Sequence, residues 1–199
     1  MLSSISPLGE RARGSRWWLT TAAYLLGSLA GGLVLGLLAA LLGSLVPAEV
    51  RGSAWGLATV AVLVLVGLVL DVRMRDGAVP SWRRQVDVAW LDSYRGWVMG
   101  VGFGAQLGFG LVTIITSATT YAVVLLAALG GDVGVGLVVG GTFGLVRALP
   151  SLLMRRVTDR DALHRVFQRV EHAAKPARIA ARVALAGTAA ALALAAAGS

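Results

Sequence analysis

Long apolar runs alternate with short polar ones along this chain. Five of the runs, 17–46, 54–72, 97–129, 133–154 and 179–197, are long enough to cross a hydrocarbon core of about 30 Å, which takes about 20 helical residues. The pattern predicts an all-α, polytopic integral membrane bundle with five transmembrane helices. Two runs, 17–46 and 97–129, exceed a perpendicular crossing, since roughly thirty residues rise about 45 Å. Each is either strongly tilted, extended along the interface, or broken with a re-entrant portion. Both are rich in glycine.

The polar stretches carry the positive charge. Fifteen of the eighteen Lys and Arg residues fall in 1–16 (Arg11, Arg13, Arg16), 73–95 (Arg73, Arg75, Arg83, Arg84, Arg95) and 155–178 (Arg155, Arg156, Arg160, Arg165, Arg169, Lys175, Arg178). Basic loops resist translocation and stay cytoplasmic. This predicts a cytoplasmic N-terminus and an external C-terminus. The organisation is then a cytoplasmic tail over 1–16 and one transmembrane domain over 17–199, with amphipathic cytoplasmic connectors at 73–95 and 155–178. The N-terminus imitates a signal peptide, but its apolar run is about twice the usual length and reads as an uncleaved first span.

Within the connectors, Trp82, Val86, Ala89, Trp90 and Tyr94 recur at helical spacing, as do Leu163, Val166, Phe167 and Val170. Both sets predict amphipathic helices on the inner leaflet, against anionic lipid head groups. Trp17, Trp18, Trp55 and Trp97 stand at span ends, as an aromatic belt requires. A long glycine-rich segment, short turn, shorter span and basic connector occur over 17–95 and again over 97–178. Internal duplication is one reading of this, and simple membrane alternation is the other.

Composition agrees with a membrane protein. The chain is 57% hydrophobic and 14% charged, with mean hydropathy +0.77, against roughly a quarter charged in soluble domains. The formal charge of +8 flanks apolar spans, so no nucleic-acid partner is expected. Cysteine is absent, which removes disulfides and thiol electron transfer by this chain alone. Seventeen Arg to one Lys fits a GC-rich bacterial genome. The expected location is the bacterial cytoplasmic (inner) membrane, multi-pass.

Candidate chemistry concentrates in the third run. Gln106, Gly110, Thr113, Ser117 and Thr120 recur at alternating strides of four and three, one face of a helix, with Thr116 beside them. Such a stripe avoids lipid and faces the bundle interior or a water-accessible cavity. It reads either as a substrate path or as hydroxyls joining helices. Arg147 lies inside the fourth run and reads as a snorkelling cation or an anion contact at the inner mouth, with Asp71 its expected partner. No carboxylate stands near the centre of a span, which weighs against a proton relay.

Glycines at a stride of four, Gly100, Gly104 and Gly108, then Gly136, Gly140 and Gly144, predict two helices packed closely on each other. Gly27 with Gly31, and Gly32 with Gly36, repeat the device in the first run. No nucleophile–base pair, phosphate loop or metal-ligand spacing is present, so neither an enzyme nor a cofactor or metal is expected.

Residues Gly102 to Leu129, GFGAQLGFGLVTIITSATTYAVVLLAAL, and the run from Phe143 to Leu153 with Pro150 resemble the second half of CcdA/DsbD-type membrane proteins, of the LysE- and sulfite-exporter-like group. The resemblance implies that the third run is a broken or site-bearing helix. That family's paired cysteines are missing near Thr116 and Ser117, so its thiol chemistry does not carry over. Its usual six spans also appear here as five.

The expected function is transmembrane movement of a small solute along Gln106, Thr113, Thr116, Ser117 and Thr120, with Arg147 near the inner mouth. A chain this short is expected to form a homo-oligomer or join a partner membrane subunit. The alternative is a non-catalytic membrane scaffold or assembly subunit.

Overall fold

A computed structural model describes residues 6–12, 14, 16–73, 96–110 and 117–199. Among them every regular element is helical. In chain order these are α1 (Pro7–Ala12), α2 (Trp17–Ser44), α3 (Ala48–Gly52), α4 (Ala54–Arg73), α5 (Gly96–Phe109), α6 (Thr119–Gly130), α7 (Val133–Ala148), a 3-10 segment (Leu149–Arg156) and α8 (Arg160–Gly198). Four stretches among the described residues are long and apolar enough to cross a membrane: Trp17–Ser44, Ala54–Arg73, Val133–Arg156 and Arg160–Gly198. The chain is thus an all-α bundle of the membrane-embedded kind.

The two long glycine-rich runs differ. The first is a single 28-residue helix. The run 97–129 is instead two helices, α5 of 14 residues and α6 of 12, each under about 22 Å at ~1.5 Å per residue. Local chemistry sets the other boundaries. Gly131 closes α6 in the left-handed conformation (φ 57°), its N–H donating to the Ala127 carbonyl. One residue later the Asp132 carboxylate caps α7 by accepting the Val135 N–H (2.9 Å), and Asp159 caps α8 through the Ala162 N–H (2.6 Å). Such caps answer the unpaired donors of a first helical turn.

The hub of the bundle is α2. Its two offset glycine pairs face two neighbours: Gly27 and Gly31 lie on the backbone of α5 at Val101, Ala105 and Phe109, and Gly32 and Gly36 lie on α7 at Gly136, Gly140 and Gly144. Reciprocally, Gly100, Gly104 and Gly108 of α5 rest on Thr20, Tyr24 and Ser28 of α2. The strips expected to meet each other both face α2 instead. A glycine strip records that some backbone comes close; it does not record whose. Farther along, Gly43 meets Ala128 and so brings α6 onto the same hub.

A second unit flanks the hub. Helices α4 and α8 pack along each other and reach the rest of the bundle chiefly through α6. Val64, Ala118, Ala122, Leu185 and Ala189 form the buried cluster joining these three. Their outward faces are apolar and exposed, with Val62, Leu63, Leu65, Val66 and Val69 on α4 open to the surroundings, as contact with lipid tails requires.

The 155–178 connector is not separate from the last span. From Arg160 it belongs to α8, one 39-residue helix with Pro176 inside it, and residues 171–180 are all exposed. The 73–95 connector lies, from residue 74, outside the described residues. The described part of the N-terminal tail packs inward. The Leu8 N–H donates to the Val157 carbonyl (3.2 Å), and the fully buried Glu10 accepts the Thr20 hydroxyl (3.0 Å).

Candidate solute site at the helix break

Helix α5 ends at Gly110, whose φ of 70° is a left-handed conformation that L side chains adopt only with strain. A Cβ there would stand 3.0 Å from Phe143 Cε1 and 3.2 Å from Thr120 Cγ2. Gly110 and Thr120 are therefore neighbours. In one continuous helix, ten residues would separate them by about 15 Å. The break brings the two ends together.

At the far side of the break, α6 begins against a carboxylate. Asp71, at the end of α4 and only 8% exposed, accepts the Ala118 N–H through Oδ1 (3.1 Å). Its Oδ2 accepts Arg182 Nε of α8 (3.1 Å), while Arg182 Nη2 donates to the Asp71 carbonyl (2.6 Å). The Ser117 hydroxyl oxygen accepts the Thr119 N–H (3.3 Å). One carboxylate thus meets the positive end of the α6 dipole and an arginine at once.

The third contributor is α7. Arg147 Nη1 donates to the buried Thr120 hydroxyl (3.3 Å), and its guanidinium carbon sits 5.2 Å from the centre of the Phe143 ring. The buried Tyr24 of α2 lies within electrostatic reach of the same guanidinium. Asp71 is not Arg147's partner, contrary to the sequence expectation. Because α4 pairs with α8, Asp71 meets Arg182, whereas α7 lies against α2 and turns Arg147 toward α6.

The expected stripe is distributed differently from one helix face. Gln106 is half-buried on α5, one turn before Gly110, and its carbonyl accepts the Gly110 N–H (3.3 Å). Ser117 and Thr120 stand across the break at the start of α6. Thr113 and Thr116 lie outside the described residues. The break therefore gathers Gly110, Thr120 and Arg147.

Several polar groups escaped the sequence reading. Arg182 lies inside the last apolar run, where the hydropathy pattern hides it. On α2, Thr20, Thr21 and Ser28 are buried. Ser28 Oγ donates to the Gly144 carbonyl (2.7 Å), and Thr21 Oγ1 is buried with no hydrogen-bond partner among the described residues. Their spacing with Tyr24 at 20, 21, 24 and 28 was the available signal, a helical stripe of hydroxyls on the first run.

The chain is similar to a methylamine utilization protein. It is 29% identical over 160 residues to MauF of Paracoccus versutus, a match covering 79% of this chain. It spans 58% of that protein's length. No protein-family model matches the chain, and no solved structure does.

Proposed function

We propose that this is a multi-pass protein of the bacterial cytoplasmic membrane that moves a small solute across it, with the solute handled at the break between α5 and α6. The N-terminus is cytoplasmic and the C-terminus external; α5 and α6 together make the third of five crossings. No catalysis and no cofactor are required of it. A second copy or a partner subunit completes the enclosure of the path.

The observation that carries the reading is the break itself. Gly110 ends one half-helix, Ala118 opens the next, and side chains from α4, α7 and α8 converge on the gap. Irregular backbone at membrane depth is tolerated where protein buries it or where it lines a water-filled cavity. Half-helix ends present the polar backbone groups by which many transporters hold solutes. The likeness of 102–129 to the CcdA/DsbD type adds to the case for a site-bearing segment. The MauF relative is named for methylamine utilization, and that likeness makes small amines the first solutes to try.

A second reading is favoured by the glycine seams of α2 with α5 and α7. Backbones in such direct contact leave no room for a path, which suits a scaffold or assembly subunit. Sealed vesicles holding the purified protein separate the two. Under the transport reading they take up methylamine or another small amine or carboxylate, and Gln106→Leu/Thr113→Val/Ser117→Ala abolishes uptake. Uptake equal in that variant and the parent removes the path, and absence of uptake across the panel favours the scaffold.

A further inference from the structure

The other end of α6, away from the break, borders a cavity of about 350 Å³ between the ends of α2, α3 and α4. That volume lies within the ~300–1,000 Å³ of ligand clefts. Its wall is almost wholly apolar, built mainly by Val46, Val50, Trp55, Val60, Leu125 and Leu129. Trp55, part of that wall, is itself 85% exposed. Two polar side chains line it. Thr59 already donates its hydroxyl to the Trp55 carbonyl (2.7 Å). The other is Arg51.

Arg51 is held in place by backbone. Its Nε donates to the Val46 carbonyl (3.0 Å) and its Nη1 to the Leu129 carbonyl (2.9 Å). Those bonds fix the guanidinium at the cavity and leave Nη2 without a hydrogen bond among the described residues. No carboxylate pairs with Arg51 among them either. The result is an apolar slot beside an anchored cation with donors to spare, next to an exposed tryptophan of the kind that sits at head-group level. A polar solute inside would give up its water for walls that return no hydrogen bonds. A hydrocarbon chain loses nothing there, and a phosphate attached to it finds the arginine.

We propose that this cavity holds one acyl chain of an anionic phospholipid whose phosphate is bound by Arg51. The site stands apart from the helix break and does not depend on the transport reading.

The test uses the full chain, purified in detergent, mixed with dioleoyl phosphatidylglycerol and weighed by native mass spectrometry. The parent protein retains one lipid molecule through delipidating washes. Thr59→Phe/Val60→Phe, which fills the slot, loses it; Leu125→Phe fills the slot from the α6 side and serves if the double variant loses its helical circular dichroism. Arg51→Gln lowers the preference for phosphatidylglycerol over the diacylglycerol with the same chains about fivefold, the effect of roughly one basic residue at an anionic head group. Arg51→Lys keeps most of that preference. Equal retention by folded slot-filling variants overturns the proposal. So does an unchanged preference in Arg51→Gln, or displacement of the lipid by inorganic phosphate alone.

Discussion

Asp71 and Arg182, 111 positions apart in the chain, form an ion pair of 3.1 Å at the start of α6. The same carboxylate accepts the Ala118 N–H. Asp71 thus joins α4, α6 and α8 at the helix break, while Arg182 joins only α4 and α8.

That difference in roles predicts unequal losses. Asp71→Ala removes the acceptor of the Ala118 N–H and strands an arginine; Arg182→Ala keeps that acceptor. Breaking a buried pair from one side costs about 3–5 kcal/mol, and the arginine's partial exposure reduces this to roughly 1–3 kcal/mol. Asp71→Ala is expected to be the worse by about 1 kcal/mol, the usual net value of one hydrogen bond. The charge swap Asp71→Arg/Arg182→Asp does not rescue, because it sets a cation at the N-terminus of α6. Unfolding in mixed micelles, with the double variant completing a thermodynamic cycle, measures each quantity.

Glycines divide by what covers them. A Cβ at Gly36 collides with the Gly136 carbonyl, and one at Gly140 collides with that of Gly32, so either alanine substitution must push α7 off α2. A loss of at least ~2 kcal/mol is expected, as for overpacked cores. Gly187 of α8 has open space where its Cβ would be, and Gly187→Ala should gain up to about 1 kcal/mol of helix propensity. The same micelle unfolding compares the three.

The glycine contacts were half legible in the sequence. Glycines at strides of four announced close helix contacts, and α2's two offset pairs already gave it two contact faces, which is what a hub needs. The identity of the partners was not legible, because a strip of missing side chains fits any backbone. Asp71 stood out as a lone acid at a span end. Its partner, Arg182, merged into the apolar pattern of 179–197, and only the pairing of α4 with α8 brings the two together. A break was one of the three readings open for 97–129, but its place was not legible. The run 97–129 contains no proline, and Gly110 is one glycine among many there, so the polar stripe read naturally as one continuous face. Its counterpart 17–46 is as long and as glycine-rich, yet stays a single helix because α5 and α7 line it from two sides.

Orientation is open to direct labelling, since the chain has no cysteine of its own. Gln168→Cys on the basic half of α8 and Ser199→Cys at the far end should react from opposite sides of the membrane. With the N-terminus inside, an impermeant maleimide added to intact cells modifies Cys at 199 and spares Cys at 168. The reverse pattern inverts the topology.

Thr120→Val removes the hydroxyl that accepts from Arg147 while keeping the shape of the side chain. A single hydrogen bond to a charged donor contributes about 1.5–3 kcal/mol. We expect a loss at the low end of that range, given the 3.3 Å length. Arg147→Lys should lose a similar amount, since a lysine has no planar guanidinium to lay beside Phe143. Losses that do not add in Thr120→Val/Arg147→Lys would show that both report on this contact.

Central to the site is the approach of the end of α5 to the start of α6, Gly110 against Thr120. Spin labels on Phe109→Cys and Tyr121→Cys in lipid vesicles test it by dipolar broadening. A continuous helix would hold these positions about 18 Å apart along its axis. The break, which sets Gly110 against Thr120, predicts a clearly shorter separation and strong broadening. Spectra matching the continuous-helix distance would contradict the break and the site built on it.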